Sequence, residues 1–208
     1  GEGDWNDGLS AAGREGKAES LWMGHFLHAV LLEWAALLDR LGKAAPARSA
    51  RRDATRLRAA VNRYGWDGDW YWRVRADDGR LLGSRTERDI ATKGGGRGRK
   101  PRGRLFLNAQ TWAILAGTAP PERLVKLRAS LRKYLYQAHG PLLLHPAYAA
   151  VDKNIGYITR YAPGLRENGG VYMHAACWAI LAEAKAGDGD LAYDLYRRIA
   201  PPLQDTAR

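Results

Sequence analysis

Cysteine is almost missing from this chain: Cys177 is the single one in 208 residues. One thiol excludes an intrachain disulfide and asks for no oxidising compartment. Its apolar setting, HAACWAI, reads as a small buried residue. The five histidines show no HxxxH spacing and there is no CxxC pair, so no metal site is expected. His25 and His28, one helical turn apart, read as ordinary packing. No apolar run approaches 18 residues, which argues against a membrane-spanning helix. A charged-then-apolar signal segment is also lacking at the start. These absences describe a globular, cytoplasmic chain without a membrane partner.

Acidic residues are also short, 22 against 33 lysines and arginines, for a net charge of +11. Such an excess raises nucleic acid or an anionic surface as partner. Much of it is local. Lys93, Arg97, Arg99, Lys100, Arg102 and Arg104 fall in one glycine-rich stretch, TKGGGRGRKPRGR, and without those six the balance is +5. Residues 91–104 therefore read as a basic, flexible insertion, and nucleic acid is disfavoured as the partner of the whole chain.

What is present is mostly helical. Leu27, Val30, Leu31, Trp34, Leu38 and Leu41 recur at spacings of three and four within residues 19–41, predicting one buried helix face. Gly42 and Pro46 end it, and residues 47–63 give a second helix with a face of Ala50, Ala54, Leu57 and Val61. YGWDGDWYWRVRADDGRLLGS then alternates aromatic and polar residues around Asp78-Gly79, a hairpin signature. Its Trp70 and Trp72 suit a sugar-stacking surface or the plug of a helical barrel equally well. LFLNAQTWAILAG resumes helix, with Asn108 as candidate N-cap and Gly117 as stop. Pro120-Pro121 opens another through about Gln137, with Leu124, Leu127, Leu131 and Leu135 in register. Residues 138–169 are irregular, and helices return over about 171–186 and then to Pro201-Pro202. The fold class is mainly α: about six helices in three antiparallel pairs, part of an (α/α)6 toroid, with a short β-hairpin excursion.

Two stretches can carry chemistry. GEGDWNDGLS sets Asp4 and Asp7 around Trp5 and Asn6 between glycines that let a backbone approach a ligand. An indole is a flat platform for a sugar ring, and Asp7 can exchange a proton. Read plainly, it is a polar turn with Asp4 and Asp7 as caps. NIGYITRYAPGLRENGGVYMHAACW puts Arg166 and Glu167 after a Pro-Gly turn, and His174 in the first turns of a helix. Free N–H groups, an arginine and a histidine make an anion site. The plain alternative is a satisfied core histidine and a surface Arg166–Glu167 pair.

GDWNDGL followed by GKAESLWMGHFL resembles the acid-bearing segment of the glycoside hydrolase family 94 phosphorylases, which include cellobiose, chitobiose and cellodextrin phosphorylases and the phosphorylase-like domain of cyclic β-1,2-glucan synthases. PGLRENGGVYMH resembles the same family's second motif, and WDGDWYWRVRADDGRLLGS and LFLNAQTWAILAG resemble segments that lie between the two. The resemblance covers nearly all of residues 1–208, interrupted by 91–104. It implies that Asp7 is the general acid, that Trp5 lines the sugar subsite and that His174 contributes to phosphate binding. Arg166 and Glu167 inherit the border of the acceptor subsite, with arginine where some members carry lysine. The family's β-sandwich, linker helices and first barrel half have no counterpart here, nor does its Thr-Gly phosphate pair. Residues 1–208 are therefore expected to be a fragment of one catalytic domain, with an exposed apolar patch where the other half would sit.

The implied reaction is inverting phosphorolysis of β-linked gluco-oligosaccharides or disaccharides to an α-sugar 1-phosphate, a glycosyltransferase-type activity. It needs no cofactor, only inorganic phosphate as co-substrate. A β-linked oligosaccharide is the partner, and a homodimer is compatible with the full-length parent. The competing readings are a non-catalytic carbohydrate-binding remnant using Trp5, Trp70 and Trp72, and a basic nucleic-acid or anionic-surface binder resting on residues 93–104. A plain hydrolase would need an opposing base, for which Glu167 is the candidate.

Overall fold

Ser20 starts the first helix: its hydroxyl accepts a hydrogen bond from the Met23 amide, which satisfies one of the free N–H groups at a helix start. The computed structural model describes residues 4–87 and 103–201, so most of the basic insertion predicted at 91–104 lies outside the described residues. Helix α1 (Leu21–Arg40) turns at Gly42, whose φ is +69°, into α2 (Ala44–Gly65). The two helices pack closely along their length because small residues face the seam. Gly24 is one: a Cβ there would come within 2.9 Å of Val61 Cγ1.

Four more helices follow among the described residues: α3 (Leu107–Leu115), α4 (Pro121–Ser130), α5 (Met173–Lys185) and α6 (Gly189–Ile199). Pro120-Pro121 opens α4 as expected, and a π turn at Leu131–Leu135 prolongs it. Helix α3 packs between α1 and α5, while α2 backs α1 and α6 backs α5. Alternate helices thus form an inner row of α1, α3 and α5, which is the layering of a partial (α/α) toroid. In the middle pair, α3 meets the π turn that prolongs α4.

Asn108 does not cap α3. It is fully buried inside the helix, whose cap position is Phe106 with no side-chain cap bond. Helix α1 differs from its predicted face as well. Leu38 is buried, but Leu27, Val30, Trp34 and Leu41 are exposed, and the packed face is Leu21, Trp22, His25, His28, Ala35 and Leu38. The helix is apolar on two sides, so periodicity alone selected the side with larger residues. The free side forms the apolar patch expected of a partial toroid. By length and composition α1 is also long and apolar enough to cross a membrane, with a hydropathy of 1.4 over its best window. Scattered polar residues such as His25, His28 and Glu33 hide that average from a search for unbroken apolar runs.

The β content is small. Strand β1 (Glu19–Ser20) pairs with β2 (Val74–Arg75), and β2 with β3 (Leu81–Leu82), all antiparallel, with Glu19 opposite Arg75 and Val74 opposite Leu82. The β2–β3 hairpin turns at Asp78-Gly79 as predicted, with Gly79 at φ +81°. Two further short pairs are β4 (Leu105–Phe106) with β7 (Leu144–His145) and β5 (Tyr136–Gln137) with β6 (Gly140–Pro141).

Two apolar clusters form the core. One joins Leu107, Leu127, Leu131, Leu135, Leu143 and Leu195 to Trp70, Tyr71 and Trp72. The other gathers Leu9, Val74, Leu82, Phe106, Leu144 and Ile158. Trp70 and Trp72 are therefore core residues, their indole N–H groups donated to the carbonyls of Gly83 and Tyr64. Burial of such rings contributes about 1.5–3 kcal/mol per side chain. That use removes two of the three aromatic platforms required by a sugar-binding remnant.

Candidate active site

The turn that carries Asp4, Trp5, Asn6 and Asp7 leads into a 3-10 turn, Asp7–Leu9, and is held from both ends. At the first end stands Arg73, which is wholly buried. Its guanidinium donates to Asp4 Oδ2 at 2.9 Å, Asn6 Oδ1 at 2.8 Å and Ser20 Oγ at 2.8 Å, and also to Asp4 Oδ1. The Asp4 carboxylate accepts in turn from the Asn6 amide at 2.9 Å and from the Ser20 hydroxyl. Burial would raise the Asp4 pKa, but the charge and hydrogen bonds of Arg73, with those of Ser20 and Asn6, outweigh it and hold the carboxyl below its ordinary value. Asp4 is thus the partner of a buried cation, which the simple cap reading of the motif did not provide.

At the second end the Gly8 amide donates to Glu167 Oε2 at 2.8 Å. Glycine is required there, since a Cβ would lie 2.2 Å from that oxygen and 2.7 Å from Ile158 Cβ. Asp7 itself is exposed between the two clamps. Glu167 is buried rather than part of a surface pair. Burial raises its pKa, the Gly8 amide opposes that rise, and the negative charge of Asp7 adds to it. The Tyr157 phenol is raised as well, by desolvation and then by the charges of Asp7 and Glu167. Asp7, Glu167 and Tyr157 therefore share one electrostatic neighbourhood.

The RENGG turn is built to present Glu167. Asn168 is fully buried, accepts from the Tyr148 amide at 2.7 Å, and donates to the carbonyls of Tyr148 at 2.9 Å and Tyr161 at 2.7 Å. Gly170 fits where a Cβ would meet the Arg166 carbonyl oxygen at 2.7 Å. Arg166 has a φ of +47°, the one positive value at a non-glycine among the described residues. Such backbone is costly unless its surroundings impose it, and it clusters at functional sites. The Arg166 side chain is exposed, with its guanidinium 5.1 Å from the Tyr161 ring centroid.

The two motifs meet at a third point. Trp5 Nε1 donates to His174 Nδ1 at 3.1 Å. His174 lies in the first turn of α5, an end that has no side-chain cap, so its N–H groups remain available to an anion. The imidazole is exposed and packs against Trp178, with centroids 4.5 Å apart, and Trp178 also touches Trp5. Tyr172 meets the Trp5 ring edge-on at 5.1 Å. The core-histidine reading of His174 fails on its exposure.

All five predicted residues, Trp5, Asp7, Arg166, Glu167 and His174, thus fall on segments linked directly to one another. Sequence reasoning missed Arg73, Ser20 and Trp178. The signal for Arg73 was present as one charge within an otherwise aromatic run, WYWRV. Cys177, expected to be buried, is exposed on α5 three residues beyond His174, as are Met173 and Leu181 one turn to either side of it. His25 and His28 are structural, bonded to Thr118 Oγ1 and the Ala54 carbonyl. Arg104, at the edge of the basic insertion, is buried and paired with Glu87, its guanidinium 3.6 Å from the Tyr148 ring centroid. It belongs to the folded body rather than to a flexible stretch. Among the described residues no group of three or more His, Cys, Asp or Glu side chains is placed to hold a metal.

The helices form part of an (α/α) toroid, and the chain belongs to the Glycosyl hydrolase 94 superfamily, whose catalytic domain matches residues 1–207. Its relatives include a solabiose phosphorylase of Paenibacillus borealis, 37% identical over 201 residues that cover 96% of this chain and 24% of that protein. A 3-O-beta-D-glucopyranosyl-beta-D-glucuronide phosphorylase of the same organism is 35% identical over 99% of this chain and 25% of its own. An N,N'-diacetylchitobiose phosphorylase of Vibrio proteolyticus is 31% identical over 97% and 23%. The chain spans about a quarter of the length of these curated relatives.

Proposed function

We propose that this chain supplies the proton donor and part of the phosphate site for inverting phosphorolysis of a β-linked gluco-oligosaccharide or disaccharide. The observation that carries the reading is the junction of the two motifs, Gly8 to Glu167 and Trp5 to His174. Asp7 donates its proton to the glycosidic oxygen as the bond from that oxygen to the anomeric carbon breaks. A phosphate oxygen, received by His174 and the start of α5, forms the new bond from the opposite face. The products are an α-sugar 1-phosphate and the freed acceptor sugar, whose subsite Arg166 and Glu167 border. Trp5 lines the sugar subsite.

Phosphate arrives already anionic, so the reaction needs an acid but no base to activate a water, unlike inverting hydrolysis. Glu167 is a poor candidate for such a base. It is buried, and one oxygen is occupied by the amide next to Asp7. No cofactor is required, and inorganic phosphate is a co-substrate. A cytoplasmic setting suits a chemistry that draws on phosphate and a chain with one exposed thiol.

The test is phosphate release from α-glucose 1-phosphate with a panel of sugar acceptors, comparing the full-length parent with its Asp7→Asn variant. Acceptor-dependent release should fall by about a hundredfold or more in the variant, the usual contribution of a positioned acid. Release near the parental rate would exclude Asp7 as the acid.

A further inference from the structure

We propose that Trp5 is a positioning residue for His174, selecting the imidazole tautomer that faces the anion. This rests on the phosphorylase reading for the identity of that anion, and on geometry for the rest. The indole nitrogen can only donate, and it lies 3.1 Å from His174 Nδ1. That nitrogen must then be the acceptor of the ring. In a neutral imidazole the proton therefore sits on Nε2, and the second nitrogen is a donor by necessity.

Both rings are held so that the relation persists. Trp5 is gripped by Tyr172 edge-on at 5.1 Å and by Trp178 at 5.2 Å, and Trp178 also packs on the imidazole at 4.5 Å. The backbone on either side of Trp5 is immobilised by the Asp4–Arg73–Asn6 bonds. The indole of the sugar-side motif thereby acts on the nitrogen chemistry of the anion-side motif, 169 positions away in sequence. His174 itself lies in the first turn of α5, whose start has no side-chain cap, so further N–H donors are free beside it. A phosphate oxygen meeting that arrangement finds donors only. The other tautomer would offer it a lone pair and repel it.

The experiment is nitrogen-15 NMR of histidine-labelled protein, with His174→Asn used to assign the signals. His174 should show a protonated Nε2 and an unprotonated Nδ1 in its neutral form. Trp5→Phe keeps an aromatic ring but removes the donor, and should give a mixture of tautomers. Adding inorganic phosphate should shift the His174 signals, with apparent affinity about threefold to tenfold weaker in Trp5→Phe, the equivalent of one ordinary hydrogen bond. A protonated Nδ1 in the unmodified protein would overturn the proposal without recourse to any variant. An unchanged tautomer in Trp5→Phe would overturn it too. A fixed tautomer that is lost in Trp5→Phe upholds it, even if phosphate shifts nothing. In that last case the phosphate-binding reading of the site fails instead.

Discussion

Gly8 and Glu167 stand 159 positions apart in sequence and are joined by a hydrogen bond of 2.8 Å. The amide that follows the exposed Asp7 is therefore fixed by the buried side chain of the RENGG turn. Each motif supplies one half of the junction: the first contributes a glycine amide, the second a carboxylate aimed at it. Such a doubly anchored turn limits the motion of the Asp7 carboxyl, as the proton donor proposed here requires.

Gly8→Ala should break this junction. The added methyl would sit 2.2 Å from Glu167 Oε2 and 2.7 Å from Ile158 Cβ. Both neighbours are buried and cannot withdraw freely, so we expect a loss of about 1–3 kcal/mol, the usual cost of overpacking. Urea unfolding measures it. A stability within 0.5 kcal/mol of the parent, roughly the range for neutral surface changes, would mean that the turn has room to spare.

Arg73→Met tests the opposite clamp. It strands the Asp4 carboxylate beside Asn6 and Ser20 without its cation, and losing one partner of a buried pair costs about 3–5 kcal/mol. Arg73→Met combined with Asp4→Leu should recover a large part of that loss, because no uncompensated charge remains. If the double variant is as unstable as the single one, the hydrogen bonds to Asn6 and Ser20 rather than the charge pair hold the turn.

Stability should also decline on mild acidification because of His25. Burial, helped by the nearby His28, depresses its pKa from 6.5 to about 3. Between those values the unfolded chain binds a proton that the folded chain refuses. The neutral ring's contribution is therefore complete above about pH 6.5 and is lost as pH falls toward 3, at on the order of 1 kcal/mol per pH unit. Denaturant midpoints at pH 7 and pH 5 should differ accordingly. His25→Gln, which can still bond Thr118, should flatten the difference. An equal slope in the variant would assign the acid sensitivity to other groups.

Trp70→Ala should act on folding rather than on sugar. The residue is core and its indole N–H is donated to the Gly83 carbonyl at 2.9 Å. Truncation of a buried aromatic costs about 3–5 kcal/mol, visible as a lowered unfolding midpoint. A variant of unchanged stability but weakened oligosaccharide binding in calorimetry would restore Trp70 to a stacking surface.

Much of the fold was legible without coordinates. Helices at the predicted places follow from apolar spacing together with Gly42, Pro120-Pro121 and Gly117, all of which act through their own local backbone. The Asp78-Gly79 hairpin is legible for the same reason. The motifs that hold Trp5, Asp7, Arg166, Glu167 and His174 could be picked out through their ordered resemblance to the phosphorylase family, since each taken alone had a plainer explanation as a polar turn, a surface pair or a core histidine.

Tertiary structure alone decided the rest. Which side of α1 is buried depends on what α2 and α3 present, and an apolar residue such as Leu27 or Trp34 carries no mark of it. Whether Trp70 lines a surface or plugs a core depends on Leu127, Leu131 and the Gly83 carbonyl, all distant in sequence. Arg73 is one charge in an aromatic run, and only the arrival of Asp4, Asn6 and Ser20 around it makes it the anchor of the turn that carries Asp7. Residue type and local spacing determine what a segment can do. A hydrogen bond between Trp5 and His174, or between Gly8 and Glu167, exists only once packing of the helices has brought its two ends within about 3 Å, the reach of such a bond.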